Sequence, residues 1–480
     1  MFEPVIAPSG TLLGLLQRGR GDGTLHALAA PRAEALAALD HCVLHDPRRD
    51  WQVENRSLYY ARLYLDLHGG LDAVEGHLFG ADDHLDTEEC RTGLALSVLG
   101  HLASYGRRDA LLLLRRYAAT GSNWAWALDE LALRDDDAAL RGLADAVLAR
   151  FPADPEGDAA LAAAVRDAFE PRPWRLWGED PRDAVGGRVR AAREQGSFDR
   201  WQRQMRPAGP RPGWSVQAVF DWAQQGLERG SVLHVPAARC LTAVAGPDDR
   251  ELILEAARTG SDGARCAALH YLAEGRDPAV LDLIEAAASS PSATVAEAAV
   301  AAFERMCGDA AVDRARGWVH RPDALGTSAG GVLASRGAAQ DAPLVLGALR
   351  QAVRTDGPDA RSLYPLVDGA GRLGIACAAP VLRHVYRETA SSELRGRTAR
   401  ALAATDPTFP TGFAVECLWD CEETTREIAA RHAETGDVRV ADRLRRLAAA
   451  AEVAAREALL SCDDPVDIQY TSGTTGFPKG

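Results

Sequence analysis

The C-terminal segment DIQYTSGTTGFPKG (467–480) carries the residues of this sequence best suited to phosphate chemistry. Val466, Ile468 and Tyr470 alternate as in a strand. Small and hydroxyl residues follow at Thr471, Ser472, Gly473, Thr474, Thr475 and Gly476, and then Lys479. Such a loop lets backbone N–H groups and hydroxyls surround phosphate oxygens, and a lysine adds positive charge. Of the 54 lysines and arginines, only Lys479 is a lysine, which indicates a separate history for this segment.

Two further motifs match catalytic patterns without the elements that such patterns need. Residues 326–330 (GTSAG) fit the G-x-S-x-G nucleophile elbow, but a strand must precede that turn and HRPDAL stands there instead. We therefore expect a loop between repeats. Residues 369–374 (GAGRLG) fit G-x-G-x-x-G without a strand–helix–strand context, so we expect a helix end within a repeat.

Two pairs of potential metal ligands stand at helical spacing. His41 and His45 are four residues apart, but no third ligand is evident, so we expect surface histidines. Cys417 and Cys421 have the same spacing, and we expect them to pack against a neighbouring repeat. The sequence therefore predicts no metal site and no resident cofactor.

The stretch LSCDDPVDIQYTSGTTGFPKG (460–480) resembles the ATP-phosphate loop of the adenylate-forming superfamily, above all of fatty-acyl-CoA synthetases. The resemblance implies that Thr471, Ser472, Gly473, Thr474, Thr475, Gly476 and Lys479 hold ATP phosphates, with Mg²⁺, while a carboxylate attacks the α-phosphorus and CoA displaces AMP. In that family an αβ domain precedes the loop and further motifs follow it. Here helical sequence precedes it, and no second lysine exists for the family's other catalytic position. We expect residues 456–480 to be a fragment joined by fusion, truncation or a reading-frame change, and inactive as the chain stands.

The elements that precede this tail are predicted from composition to be helices. Aromatic residues make up 6% of 480 residues, and the strand-favouring residues are scarce. The net charge of −14 argues against a general nucleic-acid surface. Nine cysteines without a CxxC pair favour a reducing compartment, and the chain shows neither a signal peptide nor a long apolar run. We therefore expect a cytoplasmic protein that does not enter membranes.

A helical face recurs along the second half of the chain. Ala264, Ala267, Ala268, Tyr271 and Leu272 have the spacing i, i+3, i+4, i+7, i+8 of one helix face. The same face recurs at Ala237–Ala245, at Val295–Phe303, at Leu363–Ala370 and at Thr425–Ala433, and it is poorly marked around Val332. A short, often acidic turn and a second apolar helix follow each face, as in GRDPAVLDLIEAA. Because one such pair cannot bury its apolar face alone, we predict an α-solenoid of stacked pairs.

The period, the paired helices and the acidic turns of residues 214–455 resemble the HEAT-repeat family, particularly its short bacterial members, and thus armadillo-like solenoids. Residues 1–170 look like more divergent helical repeats. The resemblance implies a scaffold without chemistry of its own, which presents a concave surface to a protein partner that the sequence does not identify.

Residues 171–213 interrupt the repeats with ten arginines among prolines, glycines and tryptophans. Arginine with interleaved tryptophan can stack on nucleic-acid bases, but we expect the rings to seal the joint between two repeat segments instead. We expect at least two of Trp174, Trp177, Trp201 and Trp214 to pack on a neighbouring helix. The sequence thus favours a non-catalytic interaction scaffold. The alternative is a fragment of, or fusion with, an AMP-forming acyl-CoA synthetase (an acid–thiol ligase), and only this alternative requires ATP and Mg²⁺.

Overall fold

The computed structural model describes residues 6–46, 56–83, 91–195, 213–457, 469–470 and 478–479. The helices are, in chain order, α1 (Leu12–Arg18), α2 (Gly21–Ala29), α3 (Arg32–Leu44), α4 (Arg56–Asp66), α5 (Asp72–Leu78), α6 (Gly93–Ser104), α7 (Arg108–Thr120), α8 (Trp124–Arg134), α9 (Asp137–Gly142), α10 (Ala144–Leu148), α11 (Pro155–Asp167), α12 (Arg172–Gly178), α13 (188–195), α14 (Val216–Glu228), α15 (His234–Val244), α16 (Arg250–Thr259), α17 (Asp262–Glu274), α18 (Val280–Ala288), α19 (Ala293–Arg305), α20 (Asp309–Trp318), α21 (Ala324–Arg336), α22 (Ala342–Asp356), α23 (Leu363–Arg372), α24 (Ala379–Glu388), α25 (Ser392–Thr405), α26 (Phe413–Cys417), α27 (Glu423–His432) and α28 (Val438–Glu457).

The described strands are β1 (Gln469–Tyr470) and β2 (Pro478–Lys479), which pair antiparallel with Gln469 opposite Lys479. Helices make up nearly all of the regular structure in the described ranges, so the predicted all-α class is confirmed.

The chain divides into two units. Unit 1 comprises residues 1–205, 390–393 and 410–480, and unit 2 comprises residues 206–389 and 394–409. In unit 2 the helices alternate between a first and a second layer. The first layer contains α15, α17, α19, α21, α23 and α25, and the second contains α16, α18, α20, α22 and α24. Contacts between α17 and α19, and between α21 and α23, join successive pairs within the first layer. These stacked antiparallel pairs form the predicted α-solenoid.

Most positions of the helix faces predicted from spacing are buried, although His432 is exposed and Cys240, Val244 and Ala245 are half-buried. Ala267 is fully buried in α17, Ala298 is 2% exposed in α19, and Ile428 is 6% exposed in α27. Val295, Ala299 and the remaining predicted positions of α19 are also buried. The prediction of buried helix faces over residues 214–455 is therefore confirmed at these positions.

Arginine–aspartate pairs connect second-layer helices to the acidic turn that follows the next first-layer helix. In each pair the arginine lies on one helix and the aspartate in the turn that begins the following second helix. The pairs in unit 2, by Nε–Oδ distance, are Arg250–Asp277 (2.8 Å), Arg316–Asp341 (2.7 Å) and Arg383–Asp406 (2.6 Å). The aspartates also accept backbone N–H groups of their own turns, as Asp277 does from Ala279 at 3.0 Å. The acidic turns therefore hold both the turn and the neighbouring repeat.

The repeat around Val332, which the sequence marks poorly, contains a well-formed helix, α21, that packs on α23. Leu325, Ala329, Val332 and Leu333 form its buried face, with Ser328 as the polar residue within that face. A Cβ atom at Gly369 would lie 2.5 Å from the Cβ of Ala334, so the backbones of α21 and α23 approach closely. The array therefore continues through this position.

Unit 1 contains a continuous core of leucine, tyrosine and alanine side chains from α1 to α13. The segment from 410 onwards packs on its first helices. Helix α2 contacts α26, and the backbone N–H of Cys421 donates to the carbonyl of Gly19 at 2.9 Å. Gly21 lies so close to Glu416 that a Cβ atom there would be 1.9 Å from its carbonyl oxygen. Residues far apart in sequence thus share one core.

Within the region 171–213, residues 171–195 continue the helical packing. Trp174 and Trp177 are 2% and 1% exposed, and their rings lie 5.0 Å apart. The indole N–H of Trp177 donates to the carbonyl of Leu140 at 2.7 Å, and Trp174 contacts Trp124 of α8. Two of the four tryptophans therefore pack on neighbouring helices as predicted, and their rings are not available to stack on bases. Trp201 lies outside the described residues.

Candidate functional site

The phosphate-loop residues proposed from the sequence cannot be placed in a site. Thr471, Ser472, Gly473, Thr474, Thr475 and Gly476, together with the side chain of Lys479, lie outside the part of the chain that the structure describes. Strands β1 and β2, which flank residues 471–477 in sequence, pair with each other.

The G-x-S-x-G motif lies in the first turns of α21 and not in a loop, so that prediction is wrong. Asp323 caps the helix by accepting from the N–H of Gly326 at 3.1 Å. Gly326 permits this start, because a Cβ atom there would lie 2.0 Å from the carbonyl oxygen of Arg321. Ser328 donates to Glu304 at 2.7 Å, so it stands in a helix–helix contact rather than on an elbow.

The other motifs lie where the sequence analysis expected them. The G-x-G-x-x-G residues end α23, and Gly374 adopts a positive φ of 61°. His41 and His45 are both exposed, and the ring of His45 lies 5.2 Å from that of His41 and 5.9 Å from that of His77. Cys417 and Cys421 are buried, as predicted. Among the described residues, no group of three potential ligands could hold a metal ion.

A groove of about 680 Å³ crosses the first-layer helices of unit 2. We call it the α21–α23–α25 groove, and it is lined by Ala334, Ser335, Tyr364, Pro365, Asp368, Gly369, Gly371, Arg372, Arg397, Arg400, Ala401 and Ala404. Its floor is flat because a Cβ atom at Gly369 would meet Ala334 at 2.5 Å and one at Gly371 would meet Ala401 at 2.9 Å. Consecutive helices therefore present their longer side chains only at the rim.

The rim carries the ring of Tyr364 and three arginines, of which Arg397 and Arg372 bind other groups of the chain. Arg397 forms an ion pair with Asp368 and lies 5.3 Å above the ring centre of Tyr364. Arg372 donates to the carbonyls of the α21 C-terminus, among them Ala334 at 2.8 Å, and so closes that helix end. Arg400 is exposed, and no carboxylate of the described residues pairs with it. The groove thus offers one free positive charge beside an aromatic and proline wall.

A second concave site, the arginine cavity, lies in unit 1 and has a volume of about 570 Å³. It brings together Arg62 of α4, Arg426 of α27, and Arg443 and Arg446 of α28. Apolar side chains form its walls, among them Leu25, Leu28, Leu58, Leu63, Val415, Trp419 and Val440. Four carboxylates also line it, those of Asp66, Asp420, Asp437 and Asp442, together with a fifth arginine, Arg439, which pairs with Asp437. Leu28 is 47% exposed, so an apolar surface stands open at the cavity.

Three guanidinium groups of the arginine cavity, those of Arg62, Arg426 and Arg443, bind neutral oxygens rather than carboxylates. Arg426 donates to the carbonyls of Asp420 (2.8 Å) and Cys421 (2.7 Å). Arg443 donates to the carbonyl of Leu418 at 2.9 Å, and Arg62 donates to the hydroxyl of Tyr105 at 3.2 Å.

The positive charges in the cavity repel one another, and this repulsion adds to the effect of burial in lowering the pKa of Arg426 and Arg443. Burial, followed by the charges of Arg426 and Arg62, lowers the pKa of Arg443 to about 10, although Asp66 opposes the shift and Arg446 adds to it. Burial and then Arg62 lower the pKa of Arg426, against Asp420, Cys421 and Glu423. The cavity therefore holds more positive charge than its own carboxylates offset.

Sequence reasoning missed both concave sites. The members of the arginine cavity come from residues 62, 426, 443 and 446, and no local spacing connects the first with the others. Arginine is also so frequent in this chain that a single position carries no signal. Only the packing of α27 and α28 against α2 and α4 within unit 1 brings these side chains together.

Comparison with solved structures gives a likeness to a repeat protein. No protein-family model matches the chain, and no curated protein matches it. Among solved structures it is similar to a circular tandem repeat protein with novel repeat topology and enhanced subunit contact surfaces, at 14% identity over 94% of this chain and 99% of that one, with a TM-score of 0.14. Within the described residues, no helix has the length and apolarity needed to cross a membrane. On the helix pairs described above, the chain is an all-α helical repeat protein.

Proposed function

We propose that the chain is a non-catalytic scaffold of HEAT-like repeats that acts in the cytoplasm and holds a protein partner in the α21–α23–α25 groove. One observation carries this proposal: three successive first-layer helices form a flat floor of small residues and place an aromatic ring and arginines at its rim. A partner segment that lies across this floor contacts several repeats at once, which is how repeat arrays bind extended surfaces.

The chemistry of the rim favours an acidic segment with apolar side chains. Arg397 and Arg372 are occupied within the chain, so the charge left for a partner is that of Arg400. Tyr364 and Pro365 offer apolar area next to it. Tyrosine and arginine are the residue types that most often dominate the binding energy of protein interfaces. A carboxylate placed on Arg400 and an apolar side chain placed on Tyr364 would use both.

A site-specific photocrosslinker tests this proposal in cells that express the full chain. Ser335 is exposed at the groove, and Gln351 is exposed on the second-layer helix α22, so the two positions make a matched pair. We expect benzoylphenylalanine at Ser335 to give one adduct of defined mass and the same residue at Gln351 to give none. The substitution Arg400→Glu should abolish the Ser335 adduct, because it places a like charge against the acidic segment.

Two results would contradict the groove proposal. Equal adducts from both positions would indicate non-specific contact. An adduct from Ser335 that survives Arg400→Glu would mean that the charge at the rim does not recognise the partner.

The alternative function is carboxylate adenylation by a fragment of, or fusion with, an AMP-forming acyl-CoA synthetase. It rests on the C-terminal motif, with Thr471–Gly476 and Lys479 as ATP-phosphate ligands and with ATP and Mg²⁺ as cofactors. The pairing of β1 with β2, which flank the motif in sequence, is the observation that favours it. We infer that the motif is inactive in this chain, and titration with Mg-ATP decides between the two functions.

A further inference from the structure

We propose that the arginine cavity of unit 1 binds a small organic phosphate, with its phosphoryl group among Arg62, Arg426 and Arg443 and its apolar part on the leucine and valine wall. This inference concerns a different unit from the scaffold groove and does not depend on the proposed function. It rests on the convergence of the guanidinium groups, on their lack of carboxylate partners and on the form of the cavity.

The cavity arginines differ from those that reach across a repeat boundary to an aspartate, such as Arg115–Asp135 in unit 1 and Arg316–Asp341 in unit 2, at Nε–Oδ distances of 2.7 Å in both. Other arginines, Arg372 among them, donate to carbonyls and close a helix end. Within the arginine cavity, the described residues bring no carboxylate to within 4.0 Å of Arg62, Arg426 or Arg443. Arg62, Arg426 and Arg443 differ from the carbonyl-bound arginines elsewhere because they converge on one cavity while they are paired only with neutral oxygens.

The partly buried arginines of the cavity repel one another. Arg426 is 9% exposed, and Arg62 and Arg443 are half-buried, so solvent screens their mutual repulsion less than it would on an open surface. Asp66 is exposed, and the carboxylate of Asp420 accepts the N–H of Glu422 in its own turn at 2.9 Å. Of the other two lining carboxylates, Asp437 pairs with Arg439 and Asp442 pairs with Arg445. Arg62, Arg426 and Arg443 therefore keep an excess of positive charge, and an anion bound there relieves their repulsion.

A phosphomonoester suits these arginines better than a carboxylate does. A phosphomonoester carries a charge of roughly −1.5 to −2 at neutral pH and three strong acceptor oxygens, which suits several guanidinium groups from different helices better than a single carboxylate does. Each arginine here already uses part of its fork on a protein oxygen, and the remaining N–H groups are the donors available to a ligand.

The volume and the walls of the arginine cavity suit a small organic molecule. A cavity of about 570 Å³ has the volume of a small-molecule site. Its walls include Leu28, Leu63 and Val440 in addition to the arginines, so the cavity surrounds more than a bare ion. An organic group attached to the phosphate would cover this apolar surface.

Calorimetric titration of the full chain with phenyl phosphate, inorganic phosphate and benzoate, at constant ionic strength, tests the proposal. The variants are Arg443→Gln and Arg62→Gln, which lie on different helices. Arg431→Gln is the matched control, because Arg431 lies on the same helix as Arg426, is 72% exposed and pairs with Glu427, and neither Arg431 nor Glu427 lines the cavity. We expect phenyl phosphate to bind the wild-type chain and Arg431→Gln equally, and to bind both cavity variants at least roughly tenfold more weakly.

Titrations with inorganic phosphate and benzoate show which part of phenyl phosphate the cavity recognises. We expect phenyl phosphate to bind more tightly than inorganic phosphate, and benzoate to bind most weakly. Equal binding of phenyl phosphate and inorganic phosphate would overturn the role of the apolar wall, and equal binding of benzoate would overturn the phosphate assignment. Binding that persists in both cavity variants, or that is absent from the wild-type chain, would overturn the site itself. The far-ultraviolet circular dichroism spectrum of each variant shows whether it is folded, and the two independent variants keep the test valid if one of them is not.

Discussion

Arg20 and Glu416 lie 396 residues apart in the chain and form a two-pronged ion pair within unit 1. The Nε of Arg20 is 2.8 Å from Oε1 of Glu416, and its Nη2 is 3.0 Å from Oε2. The two side chains are 6% and 9% exposed. Through this pair the loop between α1 and α2 is fixed to α26, which carries Glu416.

We predict that Glu416→Gln lowers the free energy of unfolding of unit 1 by about 3–5 kcal/mol, because it leaves the guanidinium of Arg20 buried without its carboxylate. Urea denaturation measures the change. The matched control is Asp22→Asn, which removes the other carboxylate on Arg20; its side chain is 41% exposed, so it should cost less than about 1 kcal/mol. Equal effects of the two substitutions would show that burial does not govern this pair.

Two glycine substitutions test the close helix approach in unit 2. Gly369→Ala should destabilise the protein by about 1–3 kcal/mol, because the new Cβ atom would lie 2.5 Å from the Cβ of Ala334 and 2.6 Å from its Cα. Gly347→Ala in α22 should instead be neutral or stabilising by up to about 1 kcal/mol, since nothing lies within 4 Å of its Cβ position. Thermal denaturation of both variants provides the comparison, and a melting temperature for Gly369→Ala at or above that of the wild type would contradict the packing.

Ala298→Arg tests the buried face of α19. Ala298 is 2% exposed, so arginine would bring both a charge and excess volume into the contact between first-layer helices, at a cost on the order of 3 kcal/mol or more. Glu297→Arg introduces the same residue at the exposed neighbouring position and should change stability by less than about 1 kcal/mol. An unchanged denaturation midpoint for Ala298→Arg would refute the assignment of this face to the core.

The lowered pKa of Asp406 predicts that the free energy of unfolding of unit 2 falls at low pH. Hydrogen bonds from Arg383 lower the pKa of Asp406 from 3.8 to about 2, while burial opposes them. The folded state therefore binds fewer protons than the unfolded state between these values. The stabilisation is fully present above pH 3.8 and is lost as the pH falls through about 2; it amounts to about 2 kcal/mol.

The substitution Asp406→Asn should remove this dependence, so that the variant loses less stability than the wild type between about pH 4 and pH 2. Asp282→Asn is the control, because the side chain of Asp282 is 79% exposed, and it should leave this loss of stability unchanged. An equal loss of stability at low pH for the wild type and Asp406→Asn would contradict the prediction.

The C-terminal motif predicts the result of titration with Mg-ATP. We expect weak or undetectable binding to the 480-residue chain, since every loop residue that must be ordered on binding costs about 1–2 kcal/mol. Phosphate hydrogen bonds at roughly 1.5–3 kcal/mol each offset only part of that cost. Micromolar affinity that Lys479→Ala abolishes, or pyrophosphate release that depends on a fatty acid, would favour the ligase over the scaffold.

Local sequence was sufficient for the helices but not for every motif on them. Ala264, Ala298 and Ile428 were placed on buried faces because helical periodicity depends only on residues within a few turns. Residues 326–330 were misplaced in a loop, because glycine and serine lower helix propensity, whereas the contacts of α21 with its neighbours outweigh that preference. The motif search therefore missed a helix that tertiary packing stabilises.

The sequence by itself determined the all-α class, the paired helices and the buried faces, since these follow from spacing within one repeat. Only the tertiary structure decided which side chains from distant repeats meet: Arg20 with Glu416, the arginines at 62, 426 and 443 around one cavity, and Tyr364 with Arg397 at the groove. The physical reason is that periodicity specifies the face that each helix buries, whereas the position of one helix along its neighbour depends on steric fit, as at Gly369 and Ala334.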